Sequence, residues 1–189
     1  MNRKRFGIDI DGTITRPDSI LPFLNKDFGL QLTMNDITEY DLTPFVKVEP
    51  PILAEWFTKN EALIYEQSPL YEGAKDAVNK WAAIGELYFI SARHTYLLDI
   101  TEAWFHKHQV PYNHIELIGT HDKITTVKKH KIEIFFEDKH DNAVAISEEC
   151  NIPVLLFNTA YNQGSIPDNV IRVNNWNEAE QWVNNWLKI

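Results

Sequence analysis

The chain of 189 residues has a single cysteine, Cys150, so no internal disulfide can form and a fold stapled by cystines is excluded. Nowhere does it carry the ~18 consecutive apolar residues of a membrane-spanning helix. The stretch Met1-Asn2-Arg3-Lys4-Arg5 has the charge of a secretory leader but no apolar run behind it, because Asp9 and Asp11 interrupt the only candidate. Positive charge is also scarce: 18 Lys and Arg against 27 Asp and Glu give a formal net charge of −9. That balance excludes a nucleic-acid polymer as the main partner, since phosphate backbones are bound by basic faces. It leaves room for a small anionic ligand, because a local metal or lysine sets the field inside a pocket. Internal repeats and low-complexity tracts are absent. The expectation is a cytoplasmic protein with no membrane partner, built as one domain or as one domain with a modest insertion.

What the chain does have is a core's worth of apolar residues, 44% of the total, whose period changes repeatedly. Phe6 to Ile10 reads as a short buried strand that stops at the turn pair Asp11-Gly12. A helix over 73–84, with Ala74, Ala77, Val78 and Trp81 on one face, is closed by Gly85. Strands at 86–90, 115–118, 132–136, 153–157 and 170–173 then alternate with helices around Leu97 to Phe105, at 120–130, at 141–150 and at 176–187. Asn175 is the N-cap of the last helix, with Glu178 three residues on. This alternation predicts an α/β fold with a Rossmann-like, doubly wound parallel sheet. Between the first strand and the helix near Gly73 the pattern breaks. Helices at 19–28, 33–42 and 51–67 fill that gap, too much structure for a linker. The expected organisation is a core of residues 1–15 and 71–189 with a small helical cap, 16–70, inserted after strand one.

Open α/β sheets place ligands beyond the carboxyl ends of their strands, so polar residues at those ends are the candidates for chemistry. Strand one ends Ile8-Asp9-Ile10-Asp11-Gly12-Thr13. In extended chain Asp9 and Asp11 point the same way, and two carboxylates there are costly unless a cation or proton lies between them. The next strand ends Ile90-Ser91-Ala92-Arg93, where a hydroxyl and successive backbone N–H groups could hold a phosphate oxygen, or where Ser91 could cap the following helix. The strand at 132–136 ends Glu137-Asp138, a second pair of acids. Hard divalent cations such as Mg²⁺ take one or two carboxylates together with water and phosphate oxygens. Lys123 is the best placed positive charge, while Lys128, Lys129 and Lys131 read as a solvated basic face.

These residues resemble the haloacid dehalogenase superfamily of phosphatases: Asp9-Ile10-Asp11-Gly12-Thr13, Ser91, Lys123 and Glu137-Asp138 occur in its order and on its elements. The short cap, Ile90-Ser91-Ala92-Arg93 and Phe157-Asn158-Thr159-Ala160-Tyr161-Asn162 resemble its deoxyribonucleotidase-like branch. The resemblance implies Asp9 as nucleophile and Asp11 as general acid and base. It implies phosphate contacts from Thr13, Ser91, Ala92, Arg93 and Lys123. Mg²⁺ would be held by Asp9, the Asp11 carbonyl and Asp138, with Glu137 nearby. Two departures leave alternatives open. Glu-Asp stands where Asp-Asp is frequent, so either acid is a candidate ligand, and Lys128 could replace Lys123.

The implied activity is hydrolysis of a small phosphorylated metabolite, a (deoxy)nucleoside monophosphate. Alternatives are a phosphatase or phosphotransferase for a sugar phosphate, a mutase, a phosphonate hydrolase, or a non-enzymatic phosphate-binding or receiver module. The length of the insertion and the Asp-x-Asp spacing speak against a receiver. The cap aromatics Phe23, Phe28, Tyr40, Phe45, Trp56, Phe57 and Tyr65 recur at helical spacing, so most should form the cap's own core. One or two, with Phe23, Phe45 and Trp56 as candidates, could stack on a base. The seven histidines show no metal-ligand spacing, although His94 and His121 fall near the expected site.

Overall fold

Short runs rich in β-branched and aromatic residues build the sheet, and each is too short to bury a helix face. The computed structural model describes residues 3–189, so residues 1 and 2 of the expected core and leader-like stretch lie outside it. The strands are β1 (Lys4–Ile8), β2 (Gly85–Ser91), β3 (His114–Leu117), β4 (Ile134–Glu137), β5 (Val154–Phe157) and β6 (Val170–Val173). They form one sheet in the order β3-β2-β1-β4-β5-β6, and every neighbouring pair is parallel. Starting from β1, the chain winds outward to the edge strand β3, then returns to lay β4 on the other side of β1. The strand order therefore reverses at β1, where open parallel sheets leave a crevice for ligands.

The helices are α1 (Leu21–Phe28), α2 (Thr43–Val46), α3 (Pro50–Gln67), α4 (Ala74–Ile84), α5 (Leu98–His108), α6 (Ile124–His130), α7 (His140–Cys150) and α8 (Trp176–Leu187). Alternation along the strands sends side chains to two apolar layers. Phe6, Ile8, Phe89, Phe136 and Phe157 pack with Trp81 of α4, Phe105 of α5 and Trp176 of α8. Ile90, Phe135, Val154 and Leu156 pack with Val127 of α6 and Ile146 of α7. A third cluster, Leu21, Leu24, Ile37 and Val46 with Phe28, Phe45 and Trp56 against them, belongs to the segment between β1 and α4. The expected doubly wound sheet is thus observed. Among the described residues no helix is long and apolar enough to cross a membrane.

Local expectations differ in four places. No helix forms over 33–42: the Asp36 carboxylate accepts hydrogen bonds from the Thr33 amide and hydroxyl, which closes a single polar turn instead. Helix α6 begins at Ile124 rather than at 120, because the Thr120 hydroxyl accepts from the Asp122 amide and the Asp122 carboxylate from the Ile124 amide, which holds 120–122 in a turn. Strand β1 stops at Ile8, and the residues from Ile10 to Ile14 make a wide turn closed by the Thr15 amide on the Ile10 carbonyl, 3.0 Å. Gly85 ends α4, but not through a left-handed cap. Its φ of −144° is extended, and β2 starts at the same residue.

The reason for glycine at 85 is space. A Cβ there would overlap the Phe6 ring and lie 2.7 Å from the Lys4 carbonyl oxygen. Phe6 is fully buried and stacked on Trp81 with ring centroids 5.4 Å apart, so neither neighbour can yield cheaply. Gly85→Ala is therefore expected to lower unfolding free energy by ~1–3 kcal/mol through overpacking, read from urea midpoints. An unchanged midpoint would show that the β1–β2 seam is looser than the structure has it.

Candidate active site

The carboxyl ends of β1, β2 and β4 and the start of α6 meet at one cavity of about 560 Å³, which α3 and the loop carrying Tyr40 cover from above. Asp9, Asp11, Ser91, Ala92, Arg93, Lys123, Glu137 and Asp138 all line it. Gly12 makes the approach of the first and fourth segments possible. Its φ is +81°, and a Cβ would overlap the Asp138 carboxylate.

Lys123, almost fully buried, is the hub. Its ammonium donates to Asp9 Oδ1 and to Glu137 Oε1, the latter at 2.9 Å. Glu137 is saturated further by Asn142 Nδ2 at 2.6 Å and by the Asp138 amide at 2.9 Å. Burial is the largest influence on Glu137 and works against its charge, but Lys123 and these donors hold it below the ordinary carboxylate range. Lys123 itself is raised: burial opposes its charge, and Asp9 and Glu137 more than offset that.

Asp138 is in the opposite position. No cation among the described residues pairs with it, and its Oδ2 accepts from the neutral Tyr161 hydroxyl. Burial, then Glu137 and Asp9, push its carboxyl well above the usual value. Asp9 is raised mainly by burial, with Lys123 pulling against it. Oxygens of Asp9, Glu137 and Asp138 lie within 4.8 Å of one another. Asp138 is thus a buried acid still lacking a counter-charge beside a second carboxylate, and this donor set fits a hard divalent cation such as Mg²⁺.

Asp11 opens on the same cavity but does not join that cluster. Arg93 grips it with both arms of its guanidinium, Nε to Oδ2 at 2.9 Å and Nη2 to Oδ1 at 2.7 Å. The Arg93 side chain is buried, while the Asp11 side chain is 40% exposed. Thr101 Oγ1 accepts from Arg93 Nη1 at 3.0 Å, and the guanidinium lies 3.8 Å from the Tyr65 ring centroid, so α5 and α3 both fix it. Ser91 Oγ accepts the Arg93 amide at 3.1 Å.

Thr13 does not reach the cavity. After the Gly12 turn its side chain points inward, its hydroxyl is buried without a partner, and its carbonyl accepts from Trp176 Nε1 at 3.2 Å. Lys128 lies at the surface, 3.5 Å from Glu149, which leaves Lys123 as the lysine of this site. Phe23 and Phe45 do not line the cavity. Tyr40, Trp56, Phe57 and Tyr65 do, and so do His94 and His121. Asn142 and the hydroxyl of Tyr161 went unassigned in the sequence, because neither stands at a strand end. Tyr161 lies in the turn after β5 where Asn162 Oδ1 accepts from the Thr159 amide at 3.1 Å, within the stretch Phe157 to Asn162 that carried the resemblance but no residue role.

The sequence pattern of a family described as "5' nucleotidase, deoxy (Pyrimidine), cytosolic type C protein" matches residues 3–187. The chain belongs to this nucleotidase family. Two bacterial proteins that both carry the name "putative nucleotidase" are similar over nearly their whole length. One, from Halalkalibacterium halodurans, is 47% identical over 98% of this chain and 95% of its own. The other, from Bacillus subtilis, is 48% identical over 96% of this chain and 94% of its own. A solved structure of a haloacid-dehalogenase-type protein of Bacillus subtilis, bound to magnesium, shares the fold with a TM-score of 0.63. It covers the whole of both chains at 13% identity. The nucleotidase family and the haloacid-dehalogenase fold together mark the chain as an enzyme of the phosphatase class.

The buried ion pairs make one energetic statement testable without any substrate. Lys123→Ala leaves two buried carboxylates without their cation and is expected to cost ~3–5 kcal/mol of stability in denaturant unfolding at neutral pH. A loss below ~1 kcal/mol, the worth of a surface pair, would contradict the burial of this triad.

Proposed function

We propose that this chain is a magnesium-dependent phosphomonoesterase that works through an aspartyl-phosphate on Asp9, with (deoxy)nucleoside monophosphates as substrates. The observation that carries this reading is the convergence of Asp9, Asp11, Ser91 and Lys123 on one covered cavity. One carboxylate is tied to a lysine, and the second faces the same space. In the first step an Asp9 oxygen attacks phosphorus, the ester P–O bond breaks, and Asp11 gives its proton to the departing oxygen. In the second, water attacks phosphorus, Asp11 accepts a proton from it, and the bond to Asp9 breaks to release phosphate. Ser91, whose Oγ is oriented by the Arg93 amide, together with the Ala92 amide and Lys123, holds the phosphoryl oxygens and offsets their charge. Magnesium, held by Asp9, Asp138 and the Asp11 carbonyl, would reduce repulsion between the nucleophile and the phosphate dianion.

Glu137, already bonded to Lys123, Asn142 and two amides, positions the lysine in this scheme and leaves Asp138 as the ligand. The Arg93 fork holds Asp11 until a phosphate competes for it. Residues 16–70 serve as the cap: they exclude water and present Tyr40, Trp56, Phe57 and Tyr65 to the leaving group. The nucleotide assignment draws on the family and on these aromatic walls. A cytoplasmic setting agrees with the free thiol of Cys150.

Hydrolysis of a panel of phosphomonoesters with Mg²⁺ tests the reading. Deoxynucleoside monophosphates should exceed sugar phosphates in kcat/KM, chelation should abolish turnover, and Asp9→Asn should reduce it to background. Asp138→Asn should raise the Mg²⁺ requirement far more than Glu137→Gln does. Residual magnesium-dependent turnover in Asp9→Asn would sink the covalent route, and a sugar phosphate outperforming every nucleotide would sink the substrate class. Phe57→Ala should raise KM for a nucleotide more than for a small aryl phosphate, with a stacked base worth ~1–3 kcal/mol. Equal losses on both would take Phe57 out of base recognition.

A further inference from the structure

The edge of the sheet away from the cavity carries a second constellation. In β3, His114 and Glu116 are two residues apart and project to the same face. His130, the last residue of α6, reaches them from the neighbouring helix. His130 Nε2 lies 2.5 Å and His114 Nε2 3.2 Å from the same Glu116 oxygen, Oε2. One donor atom from each residue lies within 4.8 Å of the other two. None of the three lines the catalytic cavity.

We infer that His114, Glu116 and His130 form a binding site for a zinc-type divalent transition metal, separate from the active site. The donor set is two imidazole nitrogens and one carboxylate oxygen, which suits zinc and its late first-row neighbours and does not suit magnesium. Ligands ~2.0–2.2 Å from a tetrahedral ion sit about 3.3 Å apart, so the His114–Glu116 spacing of 3.2 Å already suits an ion and the 2.5 Å between His130 and Glu116 must open slightly to admit it. The rings are braced from behind, since the Tyr88 ring packs 5.0 Å from His130 and 5.8 Å from His114, centroid to centroid. Arg5 Nη1 holds the His130 carbonyl at 2.9 Å. Side-chain exposures of 41% for His114, 23% for Glu116 and 16% for His130 leave one side open for entry and for a water as fourth ligand.

Binding requires each imidazole to present its Nε2 lone pair and keep its hydrogen on Nδ1, so the hydrogen bonds to Glu116 are exchanged for metal bonds. Lys129 competes, because its ammonium donates to both Glu116 oxygens at 3.0 and 3.2 Å. An ion here ties the edge strand to the C-terminal end of α6, whose other end carries Lys123. The site would be a structural clamp on the helix that feeds the catalytic centre.

Zinc titration of the untagged full chain, monitored by calorimetry with millimolar Mg²⁺ present to fill the acidic site, tests this. The parent protein should take up one zinc that the His114→Ala/His130→Ala double variant does not. Each single variant should bind at least about tenfold more weakly, with unfolding midpoints in chelator unchanged for the exposed His114. Lys129→Ala should bind zinc at least as tightly as the parent, and His106→Ala should match the parent. Cobalt in place of zinc should give the absorption of a nitrogen- and oxygen-ligated ion in the parent and not in the His114→Ala/His130→Ala double variant. An unchanged zinc affinity in either His114→Ala or His130→Ala would overturn the proposal whatever the phosphatase assays show.

Discussion

Everything at the active end of the molecule depends on the buried ammonium of Lys123. It reaches Asp9 just after β1 and Glu137 at the end of β4, and it stands at the start of α6. Three segments far apart in sequence are thereby fixed by one positive charge. Two carboxylates at adjacent strand ends would repel one another in a low-dielectric site, and the lysine between them turns that repulsion into a geometric constraint. The small glycine turn at Gly12 follows from it, because the chain leaving Asp9 must pass directly over the Asp138 carboxylate.

The consequence is a division of labour among acids that look equivalent in sequence. Glu137 has every lone pair occupied by a cation, an amide side chain or a backbone N–H, which makes it a fixture. Asp138, next in the chain, has a tyrosine hydroxyl and an unmet electrostatic demand. Asp11, two residues from Asp9, is drawn into a different charge pair altogether, with Arg93. Neighbouring carboxylates thus acquire unlike chemistry from their partners alone.

Most of the sheet could be read from periodicity, because buried parallel strands are short, nearly continuous apolar runs and the helices between them are long enough to show a face. Asp9, Asp11, Ser91, Glu137 and Asp138 could be picked out because they follow apolar runs at strand ends, and Lys123 because it stands at the start of the helix before β4. Where the reading failed, a side chain competed with the backbone or a turn redirected the chain. Asp36 satisfies Thr33 and stops a helix, while Gly12 swings Thr13 toward Trp176. Which cap aromatics face the cavity depends on how α3 rolls against the core, and that is not encoded in spacing. It put Phe57 on the wall, while Phe45, on α2, packs into the third apolar cluster. Likewise His114 and His130 sit on separate elements, so no local pattern could pair them. Only the adjacency of β3 and α6 does.

The position of β1 also governs how the molecule can be assembled. Lys4 pairs with Gly85, and Phe6 pairs with Ile134, so the first strand made is the centre of the sheet and acquires its two neighbours late. Both pairings close long loops, one spanning the whole helical excursion, and loops of that kind make the folding of parallel sheets slow. A growing chain must carry β1 with both hydrogen-bonding edges open until β2, and then β4, has been synthesised. The same order leaves Asp9 without its lysine until α6 has been made, and without Glu137 beside it until β4 has joined the sheet.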